Sequence, residues 1–136
     1  MRVLTVGTWD LLHVGHLNLI QAAAKYGHEL VVGVNTDRFV TEYKGRPPVV
    51  PEQERLALVR GLRGVAWARL NDGPGRDLID QVRPDCVAVG SDWHGGNYLA
   101  QIGCDEGWIE RSRTAILYLP RTPGVSSSGR RKLVAA

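Results

Sequence analysis

The hydrophobic pattern of the chain alternates between short apolar runs and longer segments with helical spacing. Five runs rich in Val, Leu and Ile predict strands over residues 2–6, 30–34, 65–70, 86–89 and 115–119. Apolar positions three and four apart predict helices over residues 16–26, 52–62 and 76–82, a short helix holding Phe39 and Val40, and a last helix over 126–134. Residues 91–113 are irregular in pattern, with 99–108 partly helical.

Local signals refine the helices. Gly27 is expected to end the first one, since glycine is common just past a helix C-terminus. Leu56, Leu58 and Val59 are the apolar positions of the helix over 52–62, and Pro51 suits its start.

The alternation of strands and helices with short connections is typical of βαβ units and a parallel sheet. We therefore predict one domain over residues 1–136, a Rossmann-like, doubly wound, five-stranded parallel sheet with helices on both faces. Ligands of such sheets bind outside the carboxyl ends of the strands. The unusual residues of this chain follow the first, fourth and fifth predicted strands.

Composition narrows the possible partners. The formal net charge is +3, from 17 Lys and Arg against 14 Asp and Glu, which suits a small anionic substrate and gives weak support for nucleic acid. The basic cluster, residues 130–132, is typical of a solvated helix end. No apolar stretch is long enough to cross a bilayer. Cys86 lies in a predicted strand, where a buried thiol is expected, and Cys104 is far from it in sequence. We therefore expect a cytoplasmic protein.

Two histidines lie at the junction of the first strand and the first helix. Residues 7–16 read GTWDLLHVGH, so His13 and His16 are three apart with Gly15 between them. Free N–H groups and the helix dipole make a helix N-terminus an anion site, and both imidazoles could face one phosphate. Two other interpretations are a metal site, which lacks a further ligand, and two ordinary polar side chains.

The segment after the last strand is a second candidate for phosphate binding. Residues 119–128 read LPRTPGVSSS and place Arg121, a glycine and several hydroxyls before the last helix. Hydroxyl and N–H groups at a helix start suit phosphate oxygens. Plain N-capping by Ser126 or Ser127 is the alternative.

Two further loops carry candidate ligands. Lys44 and Arg46, with Arg55 beyond them, could close over a polyphosphate or belong to a solvated surface. Asp92 and Trp93 follow the fourth strand, where they could meet a base or ribose or form a turn. No Walker-type loop and no GxGxxG follow the first strand, which excludes the common NTPase and dinucleotide folds.

These motifs together resemble the nucleotidyltransferase superfamily with a His-x-Gly-His signature. GTWDLLHVGH is similar to its GTFDLLHxGH form, with Trp9 in the usual place of Phe. Residues 121–128, RTPGVSSS, resemble the second signature of the cytidylyltransferase branch, with Ser127 in place of Thr. The similarity is greatest to bacterial glycerol-3-phosphate cytidylyltransferases and covers nearly the whole chain.

The resemblance implies transfer of CMP from CTP to a small phosphorylated alcohol. Sn-glycerol 3-phosphate is the expected acceptor, giving CDP-glycerol and pyrophosphate, with Mg²⁺ helping to neutralise the triphosphate. It also implies a homodimer, and neither nucleic acid nor a membrane as a partner. Since a phosphate nucleophile is already ionised at neutral pH, catalysis would consist of positioning and charge stabilisation.

The same resemblance assigns roles by position. The catalytic set would be His13, His16, Lys44 and Arg121. Nucleotide contacts would come from Thr8, Trp9, Asp10, Gly15, Arg46, Asp92, Thr122, Gly124, Ser126 and Ser127, with Asp10 orienting its loop. Lys44 and Arg55 would bind the acceptor phosphate.

Other functions stay open from the sequence. Adenylyltransferases acting on a sugar phosphate or FMN share the first signature and the segment from Lys44 to Arg55, and CTP transfer to choline or ethanolamine phosphate is a further alternative. Arg121 and Thr122 favour CTP. A nucleotide-binding regulatory module without chemistry and a nucleic-acid-binding protein are the alternatives from other classes. Asp92 and the segment after it are expected to select the acceptor.

Overall fold

In a computed structural model of the chain, the described residues are 1–90, 98–120 and 122–123. They form five strands and six helices in alternation. In chain order these are β1 (Arg2–Gly7), α1 (Val14–Ala24), β2 (Glu29–Asn35), α2 (Asp37–Lys44), α3 (Glu52–Arg60), β3 (Trp67–Asn71), α4 (Arg76–Val82), β4 (Cys86–Gly90), α5 (Tyr98–Gln101), α6 (Glu106–Ser112) and β5 (Ala115–Leu119). The predicted last helix lies outside the described residues.

The five strands form one parallel sheet in the order β3-β2-β1-β4-β5. The chain builds outward from β1 to β3, then returns to place β4 on the other side of β1. The predicted doubly wound fold is confirmed, and its topological switch point lies between β1 and β4. A crevice at the carboxyl ends of these two strands is where such sheets bind ligands.

Helices cover both faces of the sheet because successive strand residues point to opposite sides. On one face, α1 and α3 pack over side chains such as Val3 and Val32. On the other face, α4, α5 and α6 pack over side chains such as Leu4 and Val31. Both faces are thus buried, which explains why the strands are continuous apolar runs rather than alternating ones.

Two local predictions about the helices are wrong. The first helix ends at Ala24 rather than at Gly27. A side chain at Gly27 would place its Cβ 2.3 Å from the carbonyl oxygen of Met1, so this glycine permits a close approach of two chain segments. Leu58, predicted to face the core, is 53% exposed, while its neighbours Leu56 and Val59 are buried.

The segment over 98–113 is more ordered than its pattern suggests. Gly103, with φ +77°, separates α5 from α6, and the Asp105 side chain caps α6 by accepting a bond from the Trp108 N–H at 2.7 Å. Tyr98 and Trp108 are buried against the second face of the sheet. These aromatic side chains therefore serve the core, and the expectation that Asp92 and the segment after it select the acceptor stays a prediction.

Within the described ranges, no helix has the length and apolar character needed to cross a membrane.

Candidate functional site

The two histidines occupy the turn that joins β1 to α1, beside the switch point of the sheet. His13 is the N-cap of α1, and its Nδ1 accepts a hydrogen bond from the Gly15 N–H at 3.0 Å. The Nδ1 of His16 accepts a bond from the His13 N–H at 3.2 Å, which completes a reciprocal capping box. The two rings stack, with centroids 4.0 Å apart and planes 24° apart.

These capping bonds determine which ring nitrogen carries a proton. Since each Nδ1 accepts from a backbone N–H, a neutral ring must carry its hydrogen on Nε2. Burial, together with the charge of His13, lowers the pKa of His16 to about 4, although Asp10 acts in the opposite direction. The neutral His16 ring is therefore an Nε2–H donor at physiological pH.

Trp9 supports this turn from inside the protein. Its indole is buried, donates from Nε1 to the Gly33 carbonyl at 2.9 Å, and meets the His16 ring edge-on with centroids 5.6 Å apart. Trp9 and Leu11 both have positive φ, 57° and 49°, which is uncommon for such side chains and typical of constrained functional turns. The indole thus positions His16, whereas the sequence suggested a nucleotide contact.

Asp10 connects the histidine turn to the loop over 45–51. The carboxylate is buried, and its two oxygens accept bonds from the N–H groups of Val49 and Val50 at 2.8 and 2.9 Å. The role implied for Asp10, orienting the loop that holds Thr8 and Trp9, stays a prediction.

Arg55 lies between the histidine turn and the loop over 45–51 and is fully buried, with 0% exposure. Its Nη1 donates to the carbonyl oxygens of Thr8 and Asn35 at 2.6 and 2.7 Å, and its Nε to that of Val50 at 2.7 Å. Its Nη2 donates to the Asp37 carboxylate at 2.7 Å. The guanidinium joins the ends of β1 and β2 to the loop before α3, which corrects the prediction that it contacts a substrate phosphate.

Lys44 and Arg46, in contrast, are exposed to solvent. The Lys44 Nζ lies 5.7 Å from the centroid of the Tyr43 ring, and the Tyr43 hydroxyl is 3.3 Å from the Thr8 hydroxyl. The contact of Tyr43 with Thr8 therefore places the C-terminal end of α2 beside the histidine turn. Cationic side chains in this place are free of ion pairs among the described residues and are available to an anion.

The start of the second signature meets the first turn of α1. The Thr122 hydroxyl accepts a bond from the Asn18 Nδ2 at 2.9 Å, and a Cβ at Gly15 would lie 3.8 Å from the Thr122 Cβ. The two signatures, more than a hundred residues apart in sequence, thus converge beside the histidines. The remaining predicted site residues, Asp92, Arg121, Gly124, Ser126 and Ser127, lie outside the described residues.

The histidines also border an open cleft of about 330 Å³. Leu12, Val14, Leu17 and Leu62 line it with the two rings.

The described residues do not fit a resident metal ion. Among them, no three His, Cys, Asp or Glu side chains come together as a ligand set. The Mg²⁺ implied by the resemblance therefore finds no set of three protein ligands in this part of the chain, and it would be held mainly by the phosphates of the nucleotide.

Sequence reasoning missed several residues that the structure brings to this edge of the sheet. Tyr43, Asn18 and the buried pair Asn35 and Asn71 are in none of the predicted sets. The two asparagines had a signal, since each is a polar residue at the end of an apolar strand. Tyr43 and Asn18 had none, because their roles depend on which element folds over them.

Comparison with known proteins identifies the family to which the chain is similar. The family model described as cytidylyltransferase-like matches residues 4–133. Among curated proteins, the chain is 38% identical over 95 residues to the FAD synthase of Pyrococcus abyssi, covering 68% of this chain and 64% of that protein. It is 43% identical over 93 residues to the bifunctional protein HldE of Methylobacillus flagellatus, covering 67% of this chain and 19% of that protein.

Solved structures agree with the fold. A lipopolysaccharide core biosynthesis protein from Thermoplasma volcanium superposes with a TM-score of 0.71 at 28% identity, covering 90% of this chain and 96% of that one. A protein of unknown function from Archaeoglobus fulgidus superposes with a TM-score of 0.66 at 22% identity, covering 88% and 89%, which supports the fold alone.

Proposed function

Because the chain belongs to the cytidylyltransferase-like family of nucleotidyltransferases, we propose that it transfers a nucleotidyl group from a nucleoside triphosphate to the phosphate of a small acceptor. The stacked pair His13 and His16 carries this proposal, because its backbone bonds direct both Nε2 atoms away from the turn. An acceptor phosphate oxygen attacks the α-phosphorus, the bond from that phosphorus to the bridging oxygen breaks, and pyrophosphate leaves with the electron pair.

The roles of the residues follow from this step. The Nε2–H groups of His13 and His16 donate to phosphate oxygens as charge builds up on them, and the low pKa of His16 keeps it neutral before substrate binds. Lys44 and Arg46 supply positive charge from the exposed side. No general base is needed, because the acceptor phosphate is ionised at neutral pH.

For the identity of the substrates, we propose ATP and FMN, giving FAD and pyrophosphate. The similarity to FAD synthases supports this choice, at 38% identity for the Pyrococcus abyssi protein and 43% for that of Methanohalophilus mahii. The chain spans somewhat under two thirds of those proteins and about a fifth of HldE, so their substrates enter here as a proposal.

CTP with sn-glycerol 3-phosphate is the second candidate. The run from Arg121 to Ser128 favours it, since this sequence resembles the second signature of the cytidylyltransferase branch. In that case Arg121 and Thr122 hold the nucleotide, and replacing Arg121 by Ala raises the KM for CTP more than the KM for the acceptor. We also propose that the protein is a homodimer and that its partners are small-molecule substrates. Light scattering on the purified protein measures the mass and so tests the homodimer.

A pyrophosphate-release assay tests the proposal. ATP and CTP are each supplied as the Mg²⁺ salt and paired with FMN, glycerol 3-phosphate, choline phosphate, ethanolamine phosphate or a sugar phosphate. We expect release with ATP and FMN, and a loss of about 10²–10³-fold in rate when His16 is replaced by Ala. His28→Ala, which removes a histidine next to the N-terminus, is the matched control. Full activity of the His16 variant would contradict the catalytic role.

A further inference from the structure

Two buried asparagines end neighbouring strands at the ligand-binding edge of the sheet. Asn35 is the last residue of β2, Asn71 is the last residue of β3, and the two are register partners. They are 8% and 5% exposed. Polar amides are rarely buried so completely without a full set of hydrogen bonds.

Their mutual contacts determine how each amide is oriented. Asn71 Nδ2 donates to the Gly73 carbonyl oxygen at 2.7 Å and to Asn35 Oδ1 at 2.8 Å. Because a carbonyl oxygen can only accept, the nitrogen of Asn71 must face Gly73, and the oxygen of Asn35 must then face Asn71. The amide assignments therefore follow from the network rather than from a choice between two equivalent orientations.

One donor group and one acceptor remain unused. Within the described residues, neither Asn35 Nδ2 nor Asn71 Oδ1 has a hydrogen-bond partner. Leaving a buried polar atom unpaired costs about 1–3 kcal/mol. The two adjacent amides thus offer one unused N–H donor and one unused oxygen acceptor. A ligand with the complementary acceptor and donor could bind both.

The pair lies at the same edge of the sheet as the histidine turn, because β1, β2 and β3 are parallel neighbours and all three end there. Arg55 Nη1 bonds the carbonyl oxygens of both Thr8 and Asn35, so only one guanidinium nitrogen separates Asn35 from the histidine turn. Asn71 also lines an open groove of about 390 Å³ between β3 and α4, together with Arg69 and Gln81. Of the two asparagines, Asn71 lines this groove, and Asn35 reaches it through their mutual hydrogen bond.

We propose that Asn35 and Asn71 determine acceptor specificity by binding an imide edge, that is, a ring carbonyl next to a ring N–H. The carbonyl oxygen accepts from Asn35 Nδ2, and the ring N–H donates to Asn71 Oδ1. The pyrimidine-like ring of a flavin has such an edge at C4=O and N3–H, whereas glycerol 3-phosphate has none. This inference rests on the proposed nucleotidyl transfer to FMN and adds the residues that recognise its ring.

The first test varies the ligand and leaves the protein unchanged. FMN and 3-methyl-FMN, which lacks the N3–H but retains the phosphate, are titrated against the protein by flavin fluorescence without any nucleotide. We expect 3-methyl-FMN to bind about tenfold to hundredfold more weakly, the loss typical of a buried acceptor left unpaired. Equal dissociation constants, or no binding of FMN, would overturn the inference.

The second test varies the protein. Asn35→Asp retains the oxygen that accepts from Asn71 and replaces only the unused donor, so the dissociation constant for FMN is expected to rise at least about tenfold. The KM for the nucleotide should change little, whereas the unfolding temperature should fall because a carboxylate is costly to bury; the titration is therefore run well below that temperature. Gln81→Glu adds the same charge at an exposed position in the groove and is the matched control. An unchanged FMN affinity in Asn35→Asp, or an equal loss in both variants, would contradict the assignment.

The two proposals fail in different ways. If no nucleotide and acceptor pair releases pyrophosphate, nucleotidyl transfer is wrong, while the FMN titration still decides the role of the asparagines. If the protein transfers CMP to glycerol 3-phosphate and does not bind FMN, the catalytic proposal for the histidines stands and the imide inference is wrong.

Discussion

Replacing Arg55 by Ala should destabilise the whole protein as well as its site. The variant removes a fully buried guanidinium that makes four hydrogen bonds of 2.6–2.7 Å, three to carbonyl oxygens and one to the Asp37 carboxylate. Its former partners are left unpaired, and the missing side chain leaves a cavity. The Asp37 carboxylate is 37% exposed and regains water, so the cost comes mainly from the three carbonyl oxygens, at about 1–3 kcal/mol for each acceptor left unpaired, or about 3–5 kcal/mol in all.

The assay is urea unfolding at pH 7, followed by tryptophan fluorescence. For a small domain this loss lowers the midpoint by about 2 M. Arg55→Lys, which retains a charge but cannot bond four partners, should lie between the parent and Arg55→Ala. The control is Arg60→Ala on the same helix, which removes an exposed side chain bonded to a single carbonyl and should cost under about 1 kcal/mol.

The outcome separates two roles for Arg55. A side chain that binds a substrate phosphate from solvent would raise the KM and leave the urea midpoint unchanged when it is removed. If Arg55→Ala unfolds within about 1 kcal/mol of the parent, the bonds seen here do not stabilise the protein in the way described.

Three further predictions follow from the site and its surroundings. The pKa of His16 is about 4 in the folded protein and 6.5 in the free side chain, so protonation favours the unfolded state. Stability should therefore fall as the pH drops from about 6.5 towards 4. In urea titrations, His16→Gln should reduce the dependence of stability on pH, and an identical dependence would contradict this reasoning. Gly27→Ala should cost about 1–3 kcal/mol because its Cβ meets the Met1 carbonyl, whereas Gly73→Ala, with open space, should be near neutral in thermal unfolding. Asp10→Asn places an N–H₂ group against a loop N–H, and should lower both stability and the transfer rate; unchanged values of both would refute the loop-clamping role.

The secondary structure could be predicted because its signal is local. A strand in a doubly covered sheet needs a short apolar run, and a helix needs apolar side chains three and four apart, whatever surrounds them. All five predicted strands are present, shifted by two residues or fewer at each end. The histidine turn was also predictable, since its glycines, its strand and its helix are contiguous in sequence.

The functions of individual polar side chains were less predictable, because charge and size do not say which way a residue points. Arg55 is an arginine next to a basic loop, so its sequence suggested a phosphate ligand. Its place on the buried side of α3 turns it instead towards the carbonyl oxygens of two strand ends. Trp9 was expected to contact a nucleotide, and its indole is instead buried and bonded to the Gly33 carbonyl of β2.

The sequence by itself determined the order of strands and helices, the position of the histidine pair and the family. Only the tertiary structure decided which polar groups face the crevice and which hold it together, because that depends on elements far apart in the chain. The crossing of α2 brings Tyr43 to Thr8, and the pairing of β2 with β3 joins Asn35 to Asn71. Such contacts arise when the sheet assembles, and neither partner carries a local sign of the other.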